Sequence, residues 1–197
     1  MIADPKRFDA TVAAFDAANA EDPNRDEGQP KELLYARRMS AMLARFAPDA
    51  SEAVRLAVRA QHIQRWRTPR SSYPMDRQGY LQWRTGLYRF HAETAGRIMA
   101  EHGYDAGTIE RVKAAVGKKG LKVNAETQLL EDVTDLVFLE HYIAGFAAQH
   151  PEYDEAKWLD IIRKTWQKMS KEARDFVLAG KVSLPETAKP LILKAVS

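Results

Sequence analysis

The chain has 197 residues, 45% hydrophobic and 29% charged, with 30 basic against 27 acidic side chains for a net charge of +3. That length suits one domain with a sizeable core, and so small a net charge argues for no particular partner. The absence of cysteine excludes disulfides, thiolate metal sites, iron–sulfur clusters and cysteine nucleophiles. No run of about 18 apolar residues occurs, and the N-terminal MIADPKRFDATVAAFDAANA lacks the apolar core of a signal peptide, so a cytoplasmic protein without membrane spans is expected.

Helical periodicity runs through nearly all of it. Phe8, Val12, Phe15 and Ala18 share a face of a first helix (5–20), entered through Asp4-Pro5, a capping acid followed by a proline suited to a first turn. The polar segment Glu21 to Lys31 reads as a loop. A second helix carries Tyr35, Met39, Met42, Leu43 and Phe46 and stops near Pro48. Ser51 caps a third, with Val54, Val58, His62 and Trp66 at i, i+4 spacing.

After an irregular connection around Pro69 and Pro74, Asp76 caps a long fourth helix that ends at Gly103 and carries Leu87, His91, Ala95 and Ile98. A shorter helix over 108–116 is broken by Gly117-Lys118-Lys119-Gly120. Asn124 caps a sixth helix with Leu129, Asp132, Leu136, Leu139 and Ile143 on one side. Asp154 caps a seventh with Trp158, Ile161, Ile162 and Trp166, and a weaker helix over 171–179 leads to Gly180 and a tail with two prolines. No hairpin or alternating strand pattern stands out. The expected architecture is all-α, a single-domain bundle of seven to eight helices over 1–197, with the first helix and the tail 181–197 peripheral.

Three titratable residues lie on apolar stripes, where a charge is costly unless paired or metal-bound: His62, His91 and Asp132. Imidazole and carboxylate ligands on facing helices are how bundles build metal sites. A divalent metal (manganese, iron or zinc) on these three is therefore one expectation, against the plainer one that each is satisfied within the core. The neighbouring acids Asp135 and Glu140 read as a solvated face.

Between His62 and His91 stand six arginines and six large aromatics but only one acid, Asp76. Planar guanidinium forks match phosphate or carboxylate, and aromatic rings can stack a base. Arg65, Trp66, Arg70, Arg77, Tyr80 and Arg84 are the candidate binding residues for a phosphorylated or otherwise anionic small molecule, or for nucleic acid. Lys168-Met169-Ser170-Lys171 matches the KMSK-type loop of class I aminoacyl-tRNA synthetases over four residues only, and a Ser170 cap explains it.

The stretches YARRMSAML (35–43), AQHIQRW (60–66), PRSSYPMDRQGYLQWR (69–84), FHAE (90–93), ETQLLEDVTDLVFLE (126–140) and RKTWQKMS (163–170) resemble a helical family known as domain of unknown function 4202, which implies no activity. AQHIQRW and ETQLLEDVTDL also resemble, more loosely, the HD-domain metal hydrolases. That likeness implies an HD-domain-like bundle, with His62 as a ligand and Asp132 as the last aspartate. The sequence departs from it at Ile63, where an aspartate is expected, and near Arg37-Arg38, where a histidine is.

Two functions follow as expectations. One is an HD-like metal-dependent phosphohydrolase, with His62 and Asp132 catalytic and the arginines holding phosphate. The other is a non-catalytic nucleotide- or RNA-binding module using residues 65–89.

Overall fold

The computed structural model describes residues 2–196. They form ten α-helices and one minimal hairpin, so the fold is all-α. No helix among the described residues is long and apolar enough to cross a membrane. The chain divides into two compact units, Met1–Leu130 and Glu131–Ser197.

The first unit contains α1 (Pro5–Ala20), α2 (Lys31–Phe46), α3 (Glu52–Ala60), α4 (Arg77–Glu101), α5 (Ala106–Val116) and the start of α6 (Ala125–Val137). Helix α5 packs on α3 and α4, α2 on α3, and α1 on α2, α3 and α4. Phe15, Met39, Met42, Leu56, Ile63, Leu87 and Met99 form its buried interior. Side-chain caps set the helix starts: Asp4, Ser51, Asp76 and Asp105 each accept from the backbone N–H three residues on, and Asn124 accepts from Glu126 and Thr127.

Three local features differ from the sequence expectation. A two-residue hairpin, β1 (Arg25–Asp26) paired with β2 (Gln29–Pro30), closes the first loop. Glu27 and Gly28 at its tip have positive φ, a turn too short to leave an alternating pattern. Helix α3 ends at Ala60, so His62 leaves the helix and Trp66 lies on a 3₁₀ turn, Arg65–Arg67. Gln64 stands between them in the left-handed region at φ 52°. Its N–H is held 2.9 Å from Asn19 Oδ1, and Asn19 is itself buried on α1.

The second unit holds the end of α6, a π-helical turn at Phe138–Tyr142, α7 (Ile143–Gln149), α8 (Glu155–Lys168), α9 (Lys171–Leu178) and α10 (Lys189–Val196). Asp154 and Ser170 cap α8 and α9 as expected. The π turn shifts the register of what reads as one long sixth helix. Where the sequence reading had a tail, α10 packs on α8 and buries Ile192 completely.

Gly79 fixes the loop before α4. A Cβ built there meets the Pro74 carbonyl oxygen at 2.1 Å, whereas one at Gly145 on α7 meets nothing within 4 Å. Gly79→Ala is expected to lower stability by about 1–3 kcal/mol through overpacking, while Gly145→Ala raises it by about 0.5–1 kcal/mol. Thermal unfolding of the two variants measures the contrast.

Candidate functional site: a buried carboxyl and two imidazoles

Extending the α2 stripe back from Met39 through Tyr35 reaches Glu32, three residues earlier. Glu32 is 5% exposed in the first turn of the helix. Its own N–H donates to Asp22 Oδ2 at 3.0 Å, so Asp22, buried beyond the hairpin, caps a helix whose preceding residue is a proline. That cap fixes where the Glu32 carboxyl goes.

His62 Nδ1 lies 3.5 Å from Glu32 Oε2. The His62 ring stacks on Tyr35 at 4.3 Å between centroids with a 13° tilt, and a quarter of its side chain reaches solvent. On α4, His91 is 1% exposed, with its ring 5.9 Å from that of His62. Its Nδ1 lies 2.8 Å from the Ile63 carbonyl oxygen. A carbonyl only accepts, so Nδ1 carries the proton and Nε2 is left as a bare acceptor. That Nε2 is buried without a hydrogen-bond partner.

Burial raises Glu32 to about 7, against the pull of the Arg65 and Lys31 cations. Burial, joined by Arg65, Lys118 and Lys31, holds His62 well below its ordinary value. Burial and the neighbouring His62 lower His91 to about 3. The set at neutral pH is thus two neutral imidazoles and a carboxyl near its midpoint. Such pairing of titratable groups with displaced pKa values marks candidate acid–base sites.

The arginine and aromatic residues lie nearby in sequence and serve several roles. Arg65 places its guanidinium 4.9 Å from the Trp83 ring centre, and Trp83 donates to the Thr68 carbonyl at 2.8 Å. Arg70 donates to the carbonyls of Tyr73 and Asp76, both at 3.1 Å, and so braces the loop. Arg84 bonds and overlies Tyr88. Arg77 and Tyr80 are exposed and Trp66 is half-buried.

Among the described residues none of Arg65, Arg70, Arg77, Arg84 and Arg89 forms an ion pair with an acid. Arg77, Arg84 and His91 follow one another at seven-residue intervals on α4. They therefore share a stripe, with roughly 10 Å between successive Cα atoms. Sequence spacing alone did not single out Glu32, although its place on the Tyr35–Met39 stripe was the available signal.

The third expected ligand, Asp132, belongs to the second unit. There its Oδ1 accepts from Ser170 N at 2.7 Å. Its neighbours Glu131 and Asp135 both receive Lys168 Nζ, at 3.0 and 2.8 Å. Asp135, read from sequence as solvated, is 3% exposed, because the Lys168 ammonium neutralises it there. The KMSK-like residues are accounted for in the same way. Lys168 bridges two acids, Met169 is buried, Ser170 caps α9 and Lys171 pairs with Asp175. Among the described residues no three His, Asp or Glu side chains are grouped so as to hold a metal ion.

Raising the Glu32 pKa from 4.5 to about 7 means that the folded state keeps a proton the unfolded chain releases. Stability attributable to Glu32 is therefore intact below about pH 4.5 and falls as pH rises towards 7, by about 3 kcal/mol in total. His91 acts in the opposite sense, losing stability as pH falls from 6.5 towards 3. Comparing urea unfolding of wild type and Glu32→Gln across pH 4 to 8 isolates the acid. The variant is expected to gain on wild type steadily between pH 4.5 and 7, and a difference that stays flat would contradict the assignment.

No curated protein matches the chain, and no solved structure does. A family model described as a domain of unknown function, DUF4202, matches residues 9–192. With nearly the whole length covered, the chain belongs to the DUF4202 family.

Proposed function

We propose that the protein is a phosphohydrolase of small phosphorylated molecules, with Glu32, His62 and His91 as its acid–base centre. The observation that carries this reading is the 3.5 Å pairing of the buried Glu32 carboxyl with the half-open His62 ring. A carboxyl with a pKa near 7 is matched to proton transfer at neutral pH, and His62 is the member of the set that reaches solvent. In this reading Glu32, when ionised, draws the Nδ1 proton of His62 as Nε2 takes one from an attacking water. The water oxygen bonds to phosphorus and the ester P–O bond breaks; the leaving oxygen takes the proton from His62 Nε2 as Glu32 returns its own to Nδ1, which restores the starting state. Arg65 and Arg84, the latter one stripe interval from His91, hold the phosphate charge, and Trp66 flanks the rest of the molecule. Arg77 and Tyr80, near the start of α4, lie too far along the helix to touch the same phosphate. Asp132, bonded to Ser170 in the second unit, enters no step.

The unpartnered His91 Nε2 favours a second reading, in which His62 and His91 bind a divalent cation such as manganese, iron or zinc. A third, non-catalytic use of residues 65–89 to bind a nucleotide or RNA is supported by arginines free of acidic partners.

A panel of phosphomonoesters and nucleotides assayed with metal-analysed protein separates the three. Turnover that drops about 10²–10⁴-fold in Glu32→Gln is the expected result. Stoichiometric metal lost from both His62→Ala and His91→Ala would establish the second reading. Binding without turnover in the wild type would leave the third.

A further inference from the structure

The irregular connection between α3 and α4 is fastened to α4 at both ends. At one end Trp83 Nε1 donates to the Thr68 carbonyl at 2.8 Å. At the other, Asp76 accepts from Gly79 N at 2.7 Å, and the bare backbone of Gly79 admits the Pro74 carbonyl. Arg70 braces the stretch between through the carbonyls of Tyr73 and Asp76. This holds Tyr73 against the middle of α4, where Gly86 makes room for it. A Cβ built at Gly86 would stand 3.3 Å from the Tyr73 hydroxyl, closer than ordinary van der Waals contact.

Between loop and helix lies a groove of about 540 Å³, lined by Tyr73, Leu81, Gln82, Thr85, Gly86 and Arg89. Sites for small organic molecules span roughly 300–1,000 Å³. Gln82, Thr85, Gly86 and Arg89 follow at i, i+3, i+4 and i+7, which makes them one face of α4. Arg89 precedes His91 by two positions, about 200° around the helix, so this face is turned away from the one that carries His91.

The polar groups of the groove are uncommitted. Among the described residues no hydrogen bond or ion pair engages the side chains of Tyr73, Gln82, Thr85 or Arg89, whereas Arg65, Arg67, Arg70 and Arg84 each have a partner in the chain. The acids nearest in sequence are used elsewhere. Glu93, one turn beyond Arg89, pairs with Lys113 at 3.1 Å, and Asp76 is the α4 cap. The groove therefore offers one cation and three neutral hydrogen-bonding groups beside an apolar wall, and no carboxylate lines it.

We infer that this groove is a second ligand site, taking a small organic molecule that carries one oxyanion group, a carboxylate or a phosphate. Arg89 meets the anion, because a guanidinium fork matches either group with two parallel hydrogen bonds. The Tyr73 and Thr85 hydroxyls and the Gln82 amide supply further donors, and Leu81, 52% exposed, gives the apolar body a surface to cover. The groove shares no residue with the Glu32–His62–His91 set, so the inference stands apart from the hydrolase reading.

Nitrogen-15 NMR titration with phenyl phosphate and, separately, benzoate tests it on the wild type, Arg89→Ala and Tyr73→Phe. Two controls accompany them: Arg77→Ala removes a charge from the same helix, and His62→Ala disables the other site. Arg89 is exposed and makes no internal bond, so its loss leaves the fold intact. Saturable shifts of the Gln82 side-chain amide and the Gly86 N–H are expected in the wild type. Affinity falls about tenfold or more in Arg89→Ala and about threefold in Tyr73→Phe, while both controls match the wild type. Tighter binding of phenyl phosphate marks a phosphate ligand, and tighter binding of benzoate a carboxylate. Shifts absent with both probes, or an affinity unchanged in Arg89→Ala, would overturn the assignment. Equal losses in Arg89→Ala and Arg77→Ala would overturn it in favour of a diffuse positive field, and a loss confined to His62→Ala would overturn it by placing the probes at the histidines.

Discussion

The histidine site depends on a carboxyl group placed where water cannot solvate it. Ionising Glu32 in the first turn of α2 sets burial against the attraction of Arg65 and Lys31, and burial wins, lifting its pKa to about 7. A solvated glutamate at the same point would be a plain anion beside a histidine and would tend to charge the imidazole. Buried, it leaves His62 neutral and keeps a proton to exchange. The surrounding structure serves that arrangement. Asp22 caps the helix start, Asn19 holds the left-handed turn after Ile63, Tyr35 covers one face of His62, and the Ile63 carbonyl fixes the tautomer of His91.

Charge is organised around the same point. The whole chain is nearly neutral, yet in the segment between the two histidines Arg67 alone pairs with an acid, Glu21, the other five arginines having no acidic partner among the described residues, and Lys118 in the α5–α6 turn adds to the field at His62. Arginines on the His91 stripe of α4 lead from solvent towards the buried set. In the second unit the comparable acids have the opposite fate. Glu131 and Asp135 are closed off by Lys168, and Asp132 is used to hold the Ser170 backbone. A buried carboxylate with its counter-charge in place is a structural element. A buried carboxyl next to a neutral, half-open imidazole is a chemical one.

Much of the fold was legible in the sequence because caps and stripes are local. Asp4, Ser51, Asp76, Asn124, Asp154 and Ser170 each cap the helix expected of them, and the all-α class follows from the 3.6-residue period. What escaped was set by single residues or by long-range bonds. The hairpin at Arg25–Pro30 depends on a two-residue tip, and the end of α3 before His62 depends on Asn19, more than forty positions away. The π turn at Phe138–Tyr142 leaves the apolar pattern of α6 almost unchanged. His62 and His91 stand out in the sequence as polar residues at apolar-stripe spacing, although α3 ends at Ala60 and His62 lies beyond it. Glu32 lies one turn before Tyr35 on the α2 stripe, where an acid at a helix start carries no distinctive sequence signal, and the burial of Asp135 depends on Lys168, more than thirty residues on.

The most direct measurement is a carbon-13 NMR titration of the Glu32 side-chain carboxyl, assigned by its disappearance in Glu32→Gln. The account predicts a midpoint near 7, with the His62 ring carbons reporting a neutral imidazole throughout the neutral range. A Glu32 midpoint near 4.5 with a His62 that titrates near 6.5 would mean that both groups are ordinarily solvated, and the acid–base centre would not exist.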